Sequence, residues 1–220
     1  TGPSGGGAWS NPANWTTTGT SAVGAIPDYS NVANVIIPSG SSVVYDGSVG
    51  GPVTSAIQNN GNVTFNLSSA TSIAMPISGV GGVTIANTGV LTLSGSNAYT
   101  GGTTLNAGSS LIVGNSSAIG TPNIISNGSL TNPASLTIAN GVVLPFINIS
   151  GGTTKLLSNI TTTGSQRYSN LLLGAGSGAV ALQSGNSNIL FAGTVDGAVA
   201  KNQSLTVSAG TGVVTFSDRD

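Results

Sequence analysis

The sequence predicts an all-β fold, and within that class a parallel β-solenoid, on three observations. Glu, Lys and Arg are strong helix formers, yet the 220 residues contain no Glu and only four Lys and Arg together. Val, Ile and Thr favour strands, while 34 Gly and 22 Asn supply frequent turns. A triplet of apolar residue, Thr, apolar residue recurs six times, at 63–65, 83–85, 91–93, 136–138, 205–207 and 214–216. In a strand, alternate side chains face opposite ways, so each triplet sends two apolar groups inward and one threonine outward.

Triplet spacing does not choose between a sandwich and a solenoid, because the intervals between Thr64, Thr84 and Thr92 are unequal. Charge does. Free sheet edges of sandwiches are usually protected by Lys and other charges. Only 4% of this chain is charged, and no formal charge lies between Asp46 and Lys155. A solenoid stacks each coil on the next. Ladders of Thr, Ser and Asn tolerate identical neighbours, whereas stacked charges repel. At roughly 20–25 residues per coil and about 4.8 Å per rung, the chain makes about nine coils and a rod near 45 Å.

The elements follow in chain order. Residues 1–33 read as an N-terminal capping segment and 34–220 as the solenoid repeats. Trp9 and Trp15 are the only tryptophans and lie close together in the chain. Shielding of the first coil is their expected role, against a carbohydrate platform as the alternative. Asp28 and Asp46 are separated by close to one coil period and read as turn residues. In the charge-free stretch "GSNAYTGGTTLNAGSSLIVGNSSAIG" at 95–120, Tyr99, Leu105, Leu111 and Val113 are expected inside. Gly101, Gly102 and Gly108 are expected to supply turns where φ is positive, and Thr103 and Thr104 to occupy strand positions.

Chemistry is hard to assemble from this alphabet. General acid–base catalysis draws on His, Glu or Asp at the right distance, and His and Glu are absent. No catalytic, cofactor-binding or metal-ligating residue is therefore nominated, and no cofactor is expected. "SDRD" at 217–220 offers two carboxylates, against the six to eight oxygen ligands of calcium, and reads as a solvated chain end. "GGTT" and "GVGG" lack the lysine and helix of a phosphate loop. Neutralising nucleic-acid phosphates needs many Lys and Arg. The apolar runs, such as "VVLPF" at 142–146, are too short for a membrane-spanning helix.

The stretch Asn97, Tyr99, Thr100, Gly101, Gly102, Thr103, Thr104, Leu105, Asn106, Ala107, Gly108, Leu111 and Val113 resembles the autotransporter-associated β-strand repeat of large secreted bacterial proteins. "GGGAWSNPANW" with "IPDYSNVANVIIPSGSSVVYDG" is similar to the opening of such surface proteins, at Trp9, Asn14, Trp15, Pro27 and Asp28. "ILFAGTVDGAVAKNQSLTVSAGTGVVTFSD" is similar to repeats of giant haemagglutinin-like adhesins, and "ISGGTTKLLSNITTTG" at 149–164 to a degenerate copy of the first repeat. The likeness touches about half the chain, and 121–148 lies outside it. It implies a right-handed parallel β-helix, secreted or displayed on a bacterial cell surface. No translocator barrel accompanies it, and the stop at "SDRD" in mid-repeat points to a fragment or short variant.

The expected function is structural: a secreted or cell-surface solenoid segment that forms a stalk, coat or self-assembling filament, with another copy as its partner. The alternative is an adhesin passenger that binds host or matrix glycans or proteins. An enzyme is not expected.

Overall fold

The structure is a computed structural model that describes residues 6–16, 24, 26–27, 32–47, 56–121, 123–174, 178–200 and 202–217. Every strand pairing among the described residues is parallel. Helical structure there is limited to one 3-10 turn, Pro12–Asn14. The chain winds as a three-sided β-solenoid.

The first face is a ladder that starts at Gly7–Ala8 and ends at Val214–Phe216. Its inward register runs Val43, Val63, Val83, Thr103, Ile124, Ile149, Tyr168, Phe191 and Phe216. The first four of these are evenly spaced along the chain, and the later coils are uneven in length. The second face stacks Leu91, Leu111, Leu136, Leu156 and Leu173 in a single column. The third face is in two parts, Asn34–Ile37 to Ala98–Tyr99 and Val143–Leu144 to Ser204–Ser208. Between them a turn over 115–120 replaces the strand and fills the interior with Ala118 and Ile119.

The threonine spacings now have a meaning. Thr64 and Thr84 are register neighbours on the first face, so the interval between them is one full coil. Thr92 lies on the second face of the coil containing Thr84, so the shorter interval is one step around the corner. Four of the six triplets, at 63–65, 83–85, 91–93 and 136–138, place both apolar residues in the core and the threonine half-exposed. At 205–207 the apolar pair is only partly buried, and at 214–216 all three residues are exposed.

Within 95–120, Tyr99, Leu105, Leu111 and Val113 are fully buried, as expected. Gly102 and Gly108 adopt φ of +77° and +74°. Gly101 does not adopt a positive φ; its Cβ would meet the Gly81 carbonyl carbon at 2.4 Å, so close approach between coils is what requires glycine there. Thr103 occupies an inward position, where its Oγ1 lies 2.6 Å from the buried Tyr99 hydroxyl.

Asparagine is used to tie coils together. A primary amide is neutral and has both a donor and an acceptor, so it can join backbone groups of successive rungs without stacking charge. Asn97 Oδ1 accepts from Ile77 N at 2.8 Å in one direction while its Nδ2 donates to the Ala118 carbonyl in the other. Asn59 Nδ2 reaches the Gly82 carbonyl at 2.7 Å, and Asn87 Nδ2 reaches the Ser110 carbonyl at 3.2 Å. Farther along, Asn159, Asn170, Asn186 and Asn188 each accept a backbone N–H from the following coil. The excess of Asn over Asp is therefore largely architectural.

Candidate functional site

Trp9 and Trp15 are packed, not displayed. They are 1% and 3% exposed, with ring centroids 4.8 Å apart in an edge-on pair. Trp9 continues edge-on to Tyr45 at 5.4 Å, and Tyr45 to Phe65 at 6.1 Å, which leads the aromatic cluster into the core. Both indole N–H groups are spent on backbone carbonyls: Trp9 Nε1 donates to Pro27 at 3.0 Å and Trp15 Nε1 to Trp9 at 2.7 Å. A sugar needs an open ring face, and this arrangement offers none. The strand ladder already includes Gly7–Ala8, paired with Val43–Val44, inside the segment 1–33 expected to precede it.

Of the acidic residues weighed from the sequence, Asp46 alone lies among the described residues. Asp46 is exposed beside Gly47, whose φ of +74° makes the turn. Asp28 and residues 218–220 of "SDRD" lie outside the described residues. Among the described residues no three of His, Cys, Asp and Glu come together as a metal site. No described helix is long and apolar enough to cross a membrane.

Two surface features stand out. The first is the last described rung. Tyr168, Phe191 and Phe216 stack in register with centroid separations of 5.6 and 4.6 Å, so Phe216 extends a column whose lower members are fully buried. Phe216 itself is 52% exposed, and Val213 and Val214 beside it are also open. Val214 and Phe216 occupy core positions, in register with buried Ile189 and Phe191, without a described coil above them. Sequence periodicity marked 214–216 as another triplet but held no signal of its exposure among the described residues.

The second is a groove of about 590 Å³ along the corner between the second and third faces, lined by residues including Asn140, Val143, Ser158, Asn159 and Thr161. Its lining has no charged side chain. Asn159 and Ser158 are engaged in coil bridging, accepting from Ala181 N at 2.8 Å and from Ile138 N at 2.7 Å. The wall formed by Asn140 and Gly141 is a turn closed by Val142 N to the Ala139 carbonyl at 3.1 Å. Sequence reasoning missed this groove because three coils separated in sequence contribute to it. No protein-family model, curated protein or solved structure matches the chain.

Proposed function

We propose that this chain is a non-enzymatic structural segment of a secreted or cell-surface β-solenoid, which self-associates into a stalk, coat or filament. The observation that carries this reading is the parallel ladder itself, whose rungs between Asp46 and Lys155 carry no formal charge. In the purified chain the final described strand exposes Val214 and Phe216, and a strand edge is a template for another strand. The charge-free span between Asp46 and Lys155 favours the same outcome, since nothing along it repels a neighbouring copy. The bacterial and extracellular setting rests on the resemblance of 95–120 and its flanks to autotransporter-type repeats. Trp9 and Trp15, clustered on Tyr45, are proposed to seal the opposite end of the core.

Electron microscopy of the purified chain over a concentration series tests the reading. Ordered fibres or end-to-end rods are expected, and Phe216→Lys should return them to single short rods. Monodisperse rods at every concentration would overturn self-assembly. The second reading is an adhesin passenger, favoured by the uncharged groove at Asn140, Val143 and Thr161, which suits a neutral glycan better than a charged ligand. Binding of a glycan panel to single rods, weakened by Val143→Trp, would support that reading.

A further inference from the structure

Three Asn–Gly pairs occur in the chain, at 60–61, 127–128 and 140–141. Asn–Gly is the pair most open to spontaneous loss of the side-chain amide, because glycine leaves its own backbone nitrogen unobstructed. The reaction needs that nitrogen to swing onto the asparagine Cγ, which requires rotation of the backbone between the two residues. Whether a given pair reacts is therefore decided by how firmly the surrounding coils hold it.

Two of the pairs are clamped. Asn60 donates its backbone N–H to the Ile37 carbonyl at 2.8 Å, and Gly61 lies so close to the coil below that a Cβ would be 2.1 Å from the Ser41 carbonyl oxygen. Asn127 is held by its backbone N–H to the Leu105 carbonyl at 2.9 Å and by its Nδ2 to Asn106 Oδ1 at 3.3 Å. The attacking nitrogen of that pair, Gly128 N, is already donating to Ser126 Oγ at 3.3 Å, and a Gly128 Cβ would be 2.2 Å from the Thr153 carbonyl oxygen. The third pair has none of these restraints from neighbouring coils and is held only by its own turn, closed by Val142 N to the Ala139 carbonyl at 3.1 Å. Asn140 is exposed, Gly141 turns with φ of +78°, and nothing lies within 4 Å of where a Gly141 Cβ would be.

We infer that Asn140–Gly141 is a built-in deamidation site on the wall of the groove, and that the other two Asn–Gly pairs are protected by the fold. Gly141 N, losing its proton to solvent base, forms a bond to Asn140 Cγ. The Cγ–Nδ2 bond breaks, and Nδ2 leaves as ammonia with a proton from solvent. Water then opens the resulting succinimide at either carbonyl, to give an aspartyl or isoaspartyl residue. Each event adds one carboxylate to a groove lined only by uncharged side chains. Asn140 itself lies in the long span between Asp46 and Lys155 that has no formal charge. The surface thereby acquires a slow, irreversible charge change at one defined point.

The test is to age the folded chain in mildly alkaline buffer and to follow each Asn–Gly pair by peptide mass mapping after proteolysis at low pH, with a urea-unfolded sample in parallel. The unfolded chain should lose amide at all three pairs at similar rates. In the folded chain, conversion at Asn140 should be at least several-fold faster than at Asn60 or Asn127, and Gly141→Ala should slow it. Equal rates at the three pairs in the folded chain would overturn the inference. So would an Asn140 that stays amidated while Asn60 or Asn127 reacts.

Discussion

At the scale of the residue, the most informative substitution is the smallest one, amide to acid at Asn97. Its side chain accepts from Ile77 N and donates to the Ala118 carbonyl, and it is only 6% exposed. Asn97→Ala removes both bridges and leaves buried backbone groups without partners, at about 1–3 kcal/mol for each such group. Asn97→Asp is expected to be worse than Ala at neutral pH, since the carboxylate cannot donate to Ala118 and is buried with its charge. The difference should shrink on acidification, when the protonated acid regains a donor. Urea unfolding midpoints at neutral and acidic pH would check both statements. An Asp variant as stable as the parent at neutral pH would show that the donated bridge contributes nothing.

Two buried phenols, Tyr99 and Tyr168, couple the fold to alkaline pH. Burial raises the Tyr99 hydroxyl well above the usual tyrosine range, with the Thr103 hydrogen bond acting the other way, and burial raises Tyr168 as well. Both folded-state values are raised, so their stabilisation is fully present below the unfolded value of about 10. As pH rises past it, the unfolded chain releases these protons first and stability falls. Thermal unfolding from about pH 8 to about pH 11 should therefore show a steepening loss, and Tyr99→Phe with Tyr168→Phe should make it shallower. An unchanged slope in the double variant would place the alkaline sensitivity elsewhere.

Elements reveal what the sequence made legible and what it hid. Apolar–Thr–apolar triplets announced the strands, because a period of two is written directly into each one. Their grouping into faces was hidden. The step from Thr64 to Thr84 is a whole coil and the step from Thr84 to Thr92 is a corner, and only three-dimensional pairing says which is which. Glycines show the same limit. Gly102 was legible as a turn, whereas the demand at Gly101 comes from the coil below, and no local signal in the sequence encodes it. Ser41, Gly61, Gly81 and Gly101 form one corner column, in which a Cβ at each glycine would fall within 2.1–2.4 Å of backbone atoms of the preceding member. Gly101→Ala must push two coils apart, an overpacking cost of about 1–3 kcal/mol. Gly141→Ala meets open space and bears only the strain of its left-handed backbone, about 1 kcal/mol. Denaturation midpoints should rank Gly101→Ala below Gly141→Ala, and the reverse order would remove the close-packed corner from the account.

For the whole molecule, stability is a sum over coils and the interfaces between them, so it need not be uniform along the rod. The coils from Val63 to Leu111 combine an even coil length with the amide bridges of Asn59, Asn87 and Asn97, and their apolar side chains are closed on both sides by neighbouring rungs. At 189–216 the amide bridges continue, but the last rung has its inward side chains open. Local opening free energies follow the burial of apolar contacts. Hydrogen exchange should therefore give the longest amide lifetimes at Val83–Ile85, Leu91–Leu93 and Leu105, with shorter ones at Leu205–Val207 and the shortest at Val214–Phe216. Concentration supplies the discriminating second axis. If copies join through the open rung, protection at Val214–Phe216 should rise with protein concentration while that at Leu91–Leu93 stays constant. Protection that rises uniformly would indicate lateral association instead, and protection that never rises would mean that the exposed Phe216 column does not join copies under those conditions.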